Sequence, residues 1–236
     1  MPQAEVEKSK MLARGTLERT TSSDVVFDAL FGQITRLELL PGTKISESDV
    51  AKSFGYSRQP VREAFTRLAN LNLLLVRPQR ATVVRPFSRH LIANARFVRA
   101  AIELEVIRAA AHERDTTVDA ALKANLREQA DAIAANDVTL FHELDYQFHK
   151  LLCASAKQSF AFEIIAENKA QVDRLCMLAL TSKEAMDVLY EDHKLMLEAL
   201  FSGDRSTADR VLRKHLDRLT PTIDAIYTTH NAYFDE

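Results

Sequence analysis

The chain has 236 residues, of which 47% are hydrophobic and 27% charged, and its formal net charge is −2 at pH 7. This length allows one or two domains with a buried core, and a composition low in glycine and proline, without tryptophan, is typical of a soluble helical protein. No apolar run approaches the length of a membrane span, and the charged N-terminal segment lacks the apolar core of a signal peptide, so we expect a cytoplasmic protein.

The two cysteines agree with that setting. Cys153 and Cys176 both lie in apolar helical segments and form no CxxC pair. Two structural thiols in a reducing compartment are therefore favoured over a disulfide.

The first segment, residues 1–20, is charged and weakly patterned, and we predict a mobile tail. The sequence Ser22-Ser23-Asp24 then predicts the capped start of a helix that opens a domain over residues 21–84. The apolar residues of this helix are Val25, Val26, Ala29, Leu30, Ile34 and Leu37.

Residues 46–71 predict two short helices joined by a tight turn. Ser46 provides a hydroxyl for the first helix start, and Gly55 allows the left-handed conformation that ends this helix. Ser57 is placed to cap the second helix, and Pro60 lies in its first turn, where a missing N–H has no cost. This arrangement is typical of a helix-turn-helix.

The second helix has one apolar face and one basic end. Its apolar residues recur at helical spacing, at Val61, Ala64, Phe65 and Leu68. Arg58, Gln59 and Arg62 are then turned outward at the N-terminal end. That end of a recognition helix meets base edges and phosphates in a major groove.

Two β-branched or apolar runs follow, residues 73–76 and 81–84, with a turn at 77–80 between them. They predict a two-stranded wing.

From Pro41 to Pro86 there are eight basic and three acidic residues, a net charge of +5. A basic segment on an acidic chain predicts that this domain alone contacts phosphates. The alternative is a small solvated helical domain whose arginines make no contacts.

The runs 41–47 and 55–68 resemble the winged helix-turn-helix of GntR-family bacterial transcription regulators. The resemblance implies that Arg58 and Arg62 contact operator DNA and that the wing approaches the adjacent minor groove. Ser48 stands where some members have a further DNA-contacting arginine, and Arg80-Ala81 stands where a glycine is common. The other candidates for DNA contact are Ser57, Gln59, Lys44, Ser48, Lys52, Arg77 and Arg80.

After a predicted hinge at residues 85–88, the remaining residues 89–236 predict an all-helical bundle of six or seven helices. The fold class is therefore mainly α, with a small β wing. The expected helices are 89–114, 118–135, 139–154, 160–180, 185–201 and 206–227.

Within the bundle, four side chains form a candidate metal site. Asp145 and His149 lie on one helix face, and the apolar neighbours of His193 and His215 turn both imidazoles inward. Three histidines and one carboxylate suit a divalent transition ion such as zinc, nickel or manganese. Alternatively, each histidine is a hydrogen-bonded core residue. His142 lies on the same stripe and is a decoy, whereas three other histidines are expected at the surface: His90, His112 and His230.

The order of these four residues over three successive helices resembles the FCD ligand-binding domain of the FadR-like branch of the GntR family. The resemblance implies metal ligands at Asp145, His149, His193 and His215. It also implies effector binding at Arg99 and Glu103, with the arginine holding a carboxylate. A surface ion pair between these two residues is the alternative.

The predicted function is that of a metabolite-responsive transcription regulator, not an enzyme, and a repressor rather than an activator. A homodimer would bind a short inverted repeat in double-stranded DNA and release it when a small carboxylate binds at the metal. One alternative is a hydrolytic metalloenzyme that uses the Asp/His cluster. Another is a purely structural metal beside a vestigial effector site.

Overall fold

The computed structural model describes residues 20–77, 80–179 and 183–235. These residues form a small N-terminal unit of three helices and three short strands, followed by a bundle of helices. The predicted N-terminal tail, apart from its last residue, lies outside the described residues, as do Pro78 and Gln79 in the predicted turn of the wing. None of the helices in the described ranges is long and apolar enough to cross a membrane.

The first helix, α1 (Ser22–Thr35), is capped by Thr21, one residue before the predicted cap at Ser22. The hydroxyl of Thr21 accepts a hydrogen bond from the Asp24 N–H at 3.1 Å, and the Asp24 carboxylate accepts one from the Thr21 N–H at 2.9 Å. This reciprocal pair satisfies two free donors at the helix start. Leu37, predicted to continue the helix, lies beyond its end in a left-handed conformation with φ 60°.

The predicted helix-turn-helix is formed by α2 (Glu47–Phe54) and α3 (Arg58–Asn70). As predicted, Ser46 caps α2, and Gly55 ends it with φ 69°. Ser57 precedes α3, but its side chain makes no capping hydrogen bond within the described residues, contrary to the prediction. Its hydroxyl is therefore free to contact a ligand.

The two helices pack on α1 through an apolar core. Arg67 of α3 also pairs with Asp24 at 2.8 Å and stacks on the ring of Phe27, which ties α3 to the start of α1. The main buried residues are Val26, Leu30, Ile34, Val61, Ala64, Phe65, Leu68, Leu73, Leu74 and Val84.

The wing is a three-stranded antiparallel sheet, not the predicted two-stranded ribbon. Strands β2 (Leu74–Leu75) and β3 (Thr82–Val84) pair as predicted, and β1 (Lys44–Ile45) pairs with the other edge of β3. Two residues are too few for a β-strand periodicity, so β1 had no signal in the sequence. Its register places Lys44 opposite Val83 on the wing.

The bundle contains seven helices within the described residues. The last predicted helix, 206–227, is divided at Arg218 into two helices. The cause is Pro221, which lacks an N–H and whose ring crowds the carbonyl four residues earlier. The seven helices are α4 (Arg89–His112), α5 (Asp119–Ala135), α6 (Val138–Ser155), α7 (Ser159–Ala179), α8 (Lys183–Ser202), α9 (Arg205–Asp217) and α10 (Leu219–Thr229).

An apolar core joins α4, α6, α7, α8 and α9, with large buried residues such as Ile107, Phe148, Ile165, Met196 and Leu212. At about 25 cal/mol per Å² of apolar surface, burial of such side chains provides the main stabilisation of the bundle. Several charged side chains are nevertheless buried inside it, and they form the site described below.

The segment between the two units is anchored by Phe87. This residue is fully buried, and its N–H donates to the carbonyl oxygen of Tyr233 at 2.7 Å while its own carbonyl accepts from the Asp235 N–H at 2.8 Å. Its ring packs against Phe234, with 5.2 Å between ring centroids. A change in angle between the two units at residues 85–88 stays a prediction.

Candidate DNA-binding surface and metal centre

The outer face of α3 carries the predicted DNA-contacting side chains. Arg58, Gln59 and Arg62 are all exposed, on the side opposite the buried Val61 and Phe65. Local contacts orient two of them, since Gln59 donates to the Glu63 carboxylate at 3.0 Å and Arg62 Nη2 lies 3.2 Å from Glu47 Oε2. Such exposed ion pairs contribute little to stability, so Arg62 can exchange Glu47 for another anion at low cost.

The remaining candidates for DNA contact are also exposed. Ser57 precedes α3, and Ser48 and Lys52 lie on α2. Lys44 and the wing residues Arg77 and Arg80 line one groove of about 630 Å³. Strand β1 explains this grouping, because it brings Lys44 to the edge of the wing. The basic candidates for DNA contact thus lie on α3, α2 and the wing.

The four predicted metal ligands converge in the bundle. Asp145 and His149 of α6, His193 of α8 and His215 of α9 are all buried, and one ligand atom from each lies within 4.8 Å of the others. Asp145 Oδ1 lies 3.8 Å from His149 Nε2 and 3.5 Å from His193 Nε2. Ligands of a tetrahedral ion at 2.0–2.1 Å are separated by roughly 3.4 Å, so the spacing fits a divalent ion.

Unpartnered ring nitrogens support the same fit. The Nε2 atoms of His149 and His193 are buried without a hydrogen-bond partner among the described residues, whereas His215 Nδ1 faces the carboxylate of Asp192 at 3.7 Å. Buried polar atoms of this kind are costly unless a ligand satisfies them. Three imidazoles and one carboxylate form a donor set suited to zinc, nickel or manganese.

Residues behind the cluster orient two of the imidazoles. His149 Nδ1 lies 2.7 Å from Glu103 Oε2, and His193 Nδ1 lies 2.9 Å from Gln129 Oε1. Gln129 in turn donates to Asn125 at 2.7 Å. Contacts of this kind to the outer nitrogen direct Nε2 toward an ion and commonly raise metal affinity.

Gln129 and Asn125 were missed by the sequence reasoning. Both are buried on α5 among apolar residues. Two polar residues four apart on an apolar helix face indicate a buried polar contact, and this pattern is visible in the sequence.

The charges around the cluster favour the protonation states that a metal requires. Burial alone would raise the pKa of Asp145, but Lys169 and the nearby histidines outweigh this effect and hold the pKa well below its usual range. Burial lowers the pKa of His193 and of His215. A carboxylate and neutral imidazoles are the ligand forms that bind metal.

A pocket of about 730 Å³, including its open mouth, adjoins the cluster and is lined by Asp145 and His215. The predicted effector residue Arg99 also lines it, and Arg99 Nε donates to Glu103 Oε1 at 2.8 Å in a buried ion pair. This pair excludes the alternative of a surface contact. Glu103 therefore joins Arg99 to His149 behind the pocket, and it does not line the pocket itself.

Lys169 is a pocket residue that sequence reasoning missed. Its ammonium lies 3.1 Å from Asp145 Oδ2 and also pairs with Asp173. His142 lines the same pocket but is not one of the four clustered ligands. Of the histidines expected at the surface, His90 and His112 are exposed and His230 is partly exposed.

Comparison with known proteins identifies the family. Residues 22–84 match the model of bacterial regulatory proteins of the gntR family, and residues 95–218, more than half of the chain, match the FCD domain. The chain belongs to the GntR family. This GntR regulator thus combines a DNA-binding winged helix-turn-helix with an FCD domain, which confirms the predicted family and fold class.

Curated relatives span nearly the whole chain. The HTH-type transcriptional repressor RspR of Escherichia coli K12 is 33% identical over 211 residues, 89% of this chain and 92% of the relative. A probable D-xylose utilization operon transcriptional repressor of Paenarthrobacter nicotinovorans is 29% identical over 206 residues, 87% of this chain and 90% of the relative. This regulator therefore has repressors among its relatives, and these relatives are transcription regulators, not enzymes.

Solved structures share the fold. McbR/YncC of E. coli superimposes with a TM-score of 0.75 at 20% identity, covering 89% of this chain and 99% of that one. A putative GntR regulator from Rhodococcus sp. RHA1 gives a TM-score of 0.72 at 21% identity, covering 86% and 98%. At these identities the likeness concerns the fold of this GntR regulator and not its ligand.

Proposed function

We propose that this GntR regulator is a metabolite-responsive repressor, which binds an inverted-repeat operator as a homodimer and is released by a small carboxylate bound at a metal site. The observation that carries the proposal is the convergence of Asp145, His149, His193 and His215 beside a pocket that also contains Arg99. A divalent ion held there would bind effector oxygens. Arg99 would provide a fixed positive charge for the effector's carboxylate.

Helix α7 is the proposed path from the effector to the DNA-binding domain. Val172 and Cys176 on this helix line the effector pocket, and Lys169 contacts Asp145. Ala170, on the same helix, is fully buried in the core of the DNA-binding domain. One rigid element therefore contacts both sites, so a ligand that shifts α7 also shifts the recognition helices.

The same helix contacts the linker. Arg174 is fully buried, its Nη2 donates to the carbonyl oxygen of Arg85 at 2.8 Å, and its guanidinium lies 4.6 Å from the ring centroid of Phe87. Burial lowers its pKa to about 10. This contact joins α7 to the linker, and the effector would act by preferring one of two arrangements of this segment.

Space at the domain interface allows this movement. A second pocket, of about 980 Å³ including its open mouth, lies between Phe31 and Thr35 of α1 and Tyr146 of α6 and Asp173 of α7. His142 lines both pockets, so the proposed effector site and the interface between the two domains are adjacent. Because close-packed interfaces resist small shifts, a cavity here makes repositioning of α1 less costly.

Dimerisation is supported by the need to bind both halves of an operator and by an apolar residue on the surface of α4. The ring of Phe97 is 76% exposed in the single chain. Burial of an exposed aromatic ring between two copies would contribute to association. Replacement of Phe97 by Asp, followed by light scattering, tests this interface, and an unchanged dimer mass would exclude it.

The experiment that tests the whole proposal is an operator-binding titration with metal and effector varied separately. An operator is first selected from random duplexes, and the zinc-loaded and chelator-treated proteins are then titrated with a panel of small carboxylates. We expect one class of carboxylate to release DNA from the zinc-loaded protein only. If chelation lowers the melting temperature and no carboxylate alters DNA binding, the metal is structural.

A further inference from the structure

The second arginine of the effector pocket, Arg96, lies one helical turn before Arg99 on α4. Its Nη2 donates to the Thr220 hydroxyl at 2.5 Å. The carboxylate of Asp217 is 3.7 Å away on a side chain that is 72% exposed, and Arg96 Nε is buried with no hydrogen-bond partner in the part of the chain that the structure describes. The positive charge of Arg96 is therefore only weakly compensated.

The other cations of the pocket are compensated by closer carboxylates. Arg99 pairs with Glu103 at 2.8 Å, and Lys169 lies between Asp145 and Asp173. Arg218 Nη2 donates to the buried carboxylate of Asp192 at 2.9 Å. Among the described residues that line this pocket, Arg96 is thus the cation with most to gain from an added anion.

The position of Arg96 separates it from the metal cluster. Glu103, which contacts the ligand His149, is seven residues further along α4, a rise of about 10 Å. Arg99 lies between Glu103 and Arg96 on the helix. Arg96 and Arg99 both line the pocket, so the pocket follows α4 from Arg99 to Arg96, away from the residue that contacts His149.

We infer that Arg96 binds a second anionic group of the effector, which is therefore a dianion and not a simple monocarboxylate. This inference rests on the proposed function, since it takes the first acid group to bind at the metal and Arg99. Arg96 is well suited to a second carboxylate or a phosphate because its planar guanidinium binds either with paired hydrogen bonds. The hydroxyl of Thr220 already holds this guanidinium in place.

The test compares acids by calorimetric titration of the zinc-loaded protein. The probes are butyrate as the monocarboxylate, then succinate, glutarate and adipate as dicarboxylates, and 3-phosphoglycerate as a phosphorylated acid. We expect at least one dianion to bind about tenfold more tightly than butyrate, or better, since its second group gains a charge-assisted hydrogen bond. Comparison of the dicarboxylates with 3-phosphoglycerate shows whether Arg96 binds a carboxylate or a phosphate.

Two variants assign the preference to Arg96. Arg96→Met should abolish the preference for the dianion and leave butyrate binding unchanged. Arg108→Met is the matched control, because Arg108 lies on the same helix and pairs with Asp209 outside the pocket. This control should retain the preference in full.

Two results would overturn the inference and leave the proposed function standing. One is butyrate binding as tightly as every dianion, and the other is Arg96→Met weakening butyrate and dianions equally. If none of these acids binds to the zinc-loaded protein, the inference fails together with the proposed carboxylate effector.

Discussion

Lys169 Nζ lies 3.1 Å from Asp145 Oδ2, and this buried ion pair joins helix α7 to a candidate metal ligand. A cation beside a metal ligand competes with the ion for the carboxylate. It also compensates the carboxylate when no ion is bound. Lys169 can therefore transmit a change in metal binding at Asp145 to α7, the helix that contacts the DNA-binding domain.

Replacement of Lys169 by Met should make stability depend more strongly on metal. Removing one partner of a buried pair typically costs about 3–5 kcal/mol, because an uncompensated charge remains. A bound ion would compensate Asp145 and recover part of this loss. Melting temperatures with zinc and with chelator should therefore differ more for Lys169→Met than for the native chain, and an equal difference would contradict the coupling.

Simultaneous replacement of His193 and His215 by Ala should release the metal. Each contributes an imidazole to the four-residue cluster, and the two remaining ligands, Asp145 and His149, are too few for a stable structural site. Elemental analysis of the purified variants provides the measurement. His142→Ala is the matched control, since His142 lines the pocket outside the cluster and its loss should leave the metal content unchanged. Full metal retention in the double variant would exclude this ligand set.

Replacement of Gln129 by Leu should weaken metal binding without removing a ligand. The amide oxygen of Gln129 lies 2.9 Å from His193 Nδ1, and loss of such an outer contact typically costs about 10–100-fold in metal affinity. Competition with a chromogenic chelator measures the change. Arg127→Leu, at an exposed position on the same helix, is the control and should bind metal normally. Equal affinity in both variants would mean that Gln129 serves packing alone.

Helical periodicity was enough to predict much of this molecule. His193 and His215 each lie on the same helix face as apolar neighbours, so the local sequence is enough to predict that both side chains point into the bundle. The capped turn at Gly55 likewise has short-range causes. Such features depend on residues within one or two turns of each other.

Other features depend on tertiary packing and had no local signal. Lys169 would be expected at the surface from its chemistry, and only the packing of α6 against α7 brings it to Asp145. Strand β1 is two residues long and exists because β3 is adjacent. The division at Arg218 is different, because the Pro221 that causes it is visible in the sequence.

The recognition helix provides the last prediction. Arg62 is exposed on α3, and its only acidic contact within the described residues is the ion pair with Glu47 at the start of α2. Arg62→Ala should weaken operator binding by roughly 1–3 kcal/mol, about 5- to 150-fold, because a base or phosphate contact is lost. The fold should be retained, since an exposed pair contributes at most about 1 kcal/mol. Fluorescence anisotropy with the selected operator measures the affinity, and melting temperature verifies the fold.

Arg127→Ala, on the exposed surface of the bundle, should bind the operator like the native chain. Unchanged affinity in Arg62→Ala would show that α3 does not read the operator through this residue.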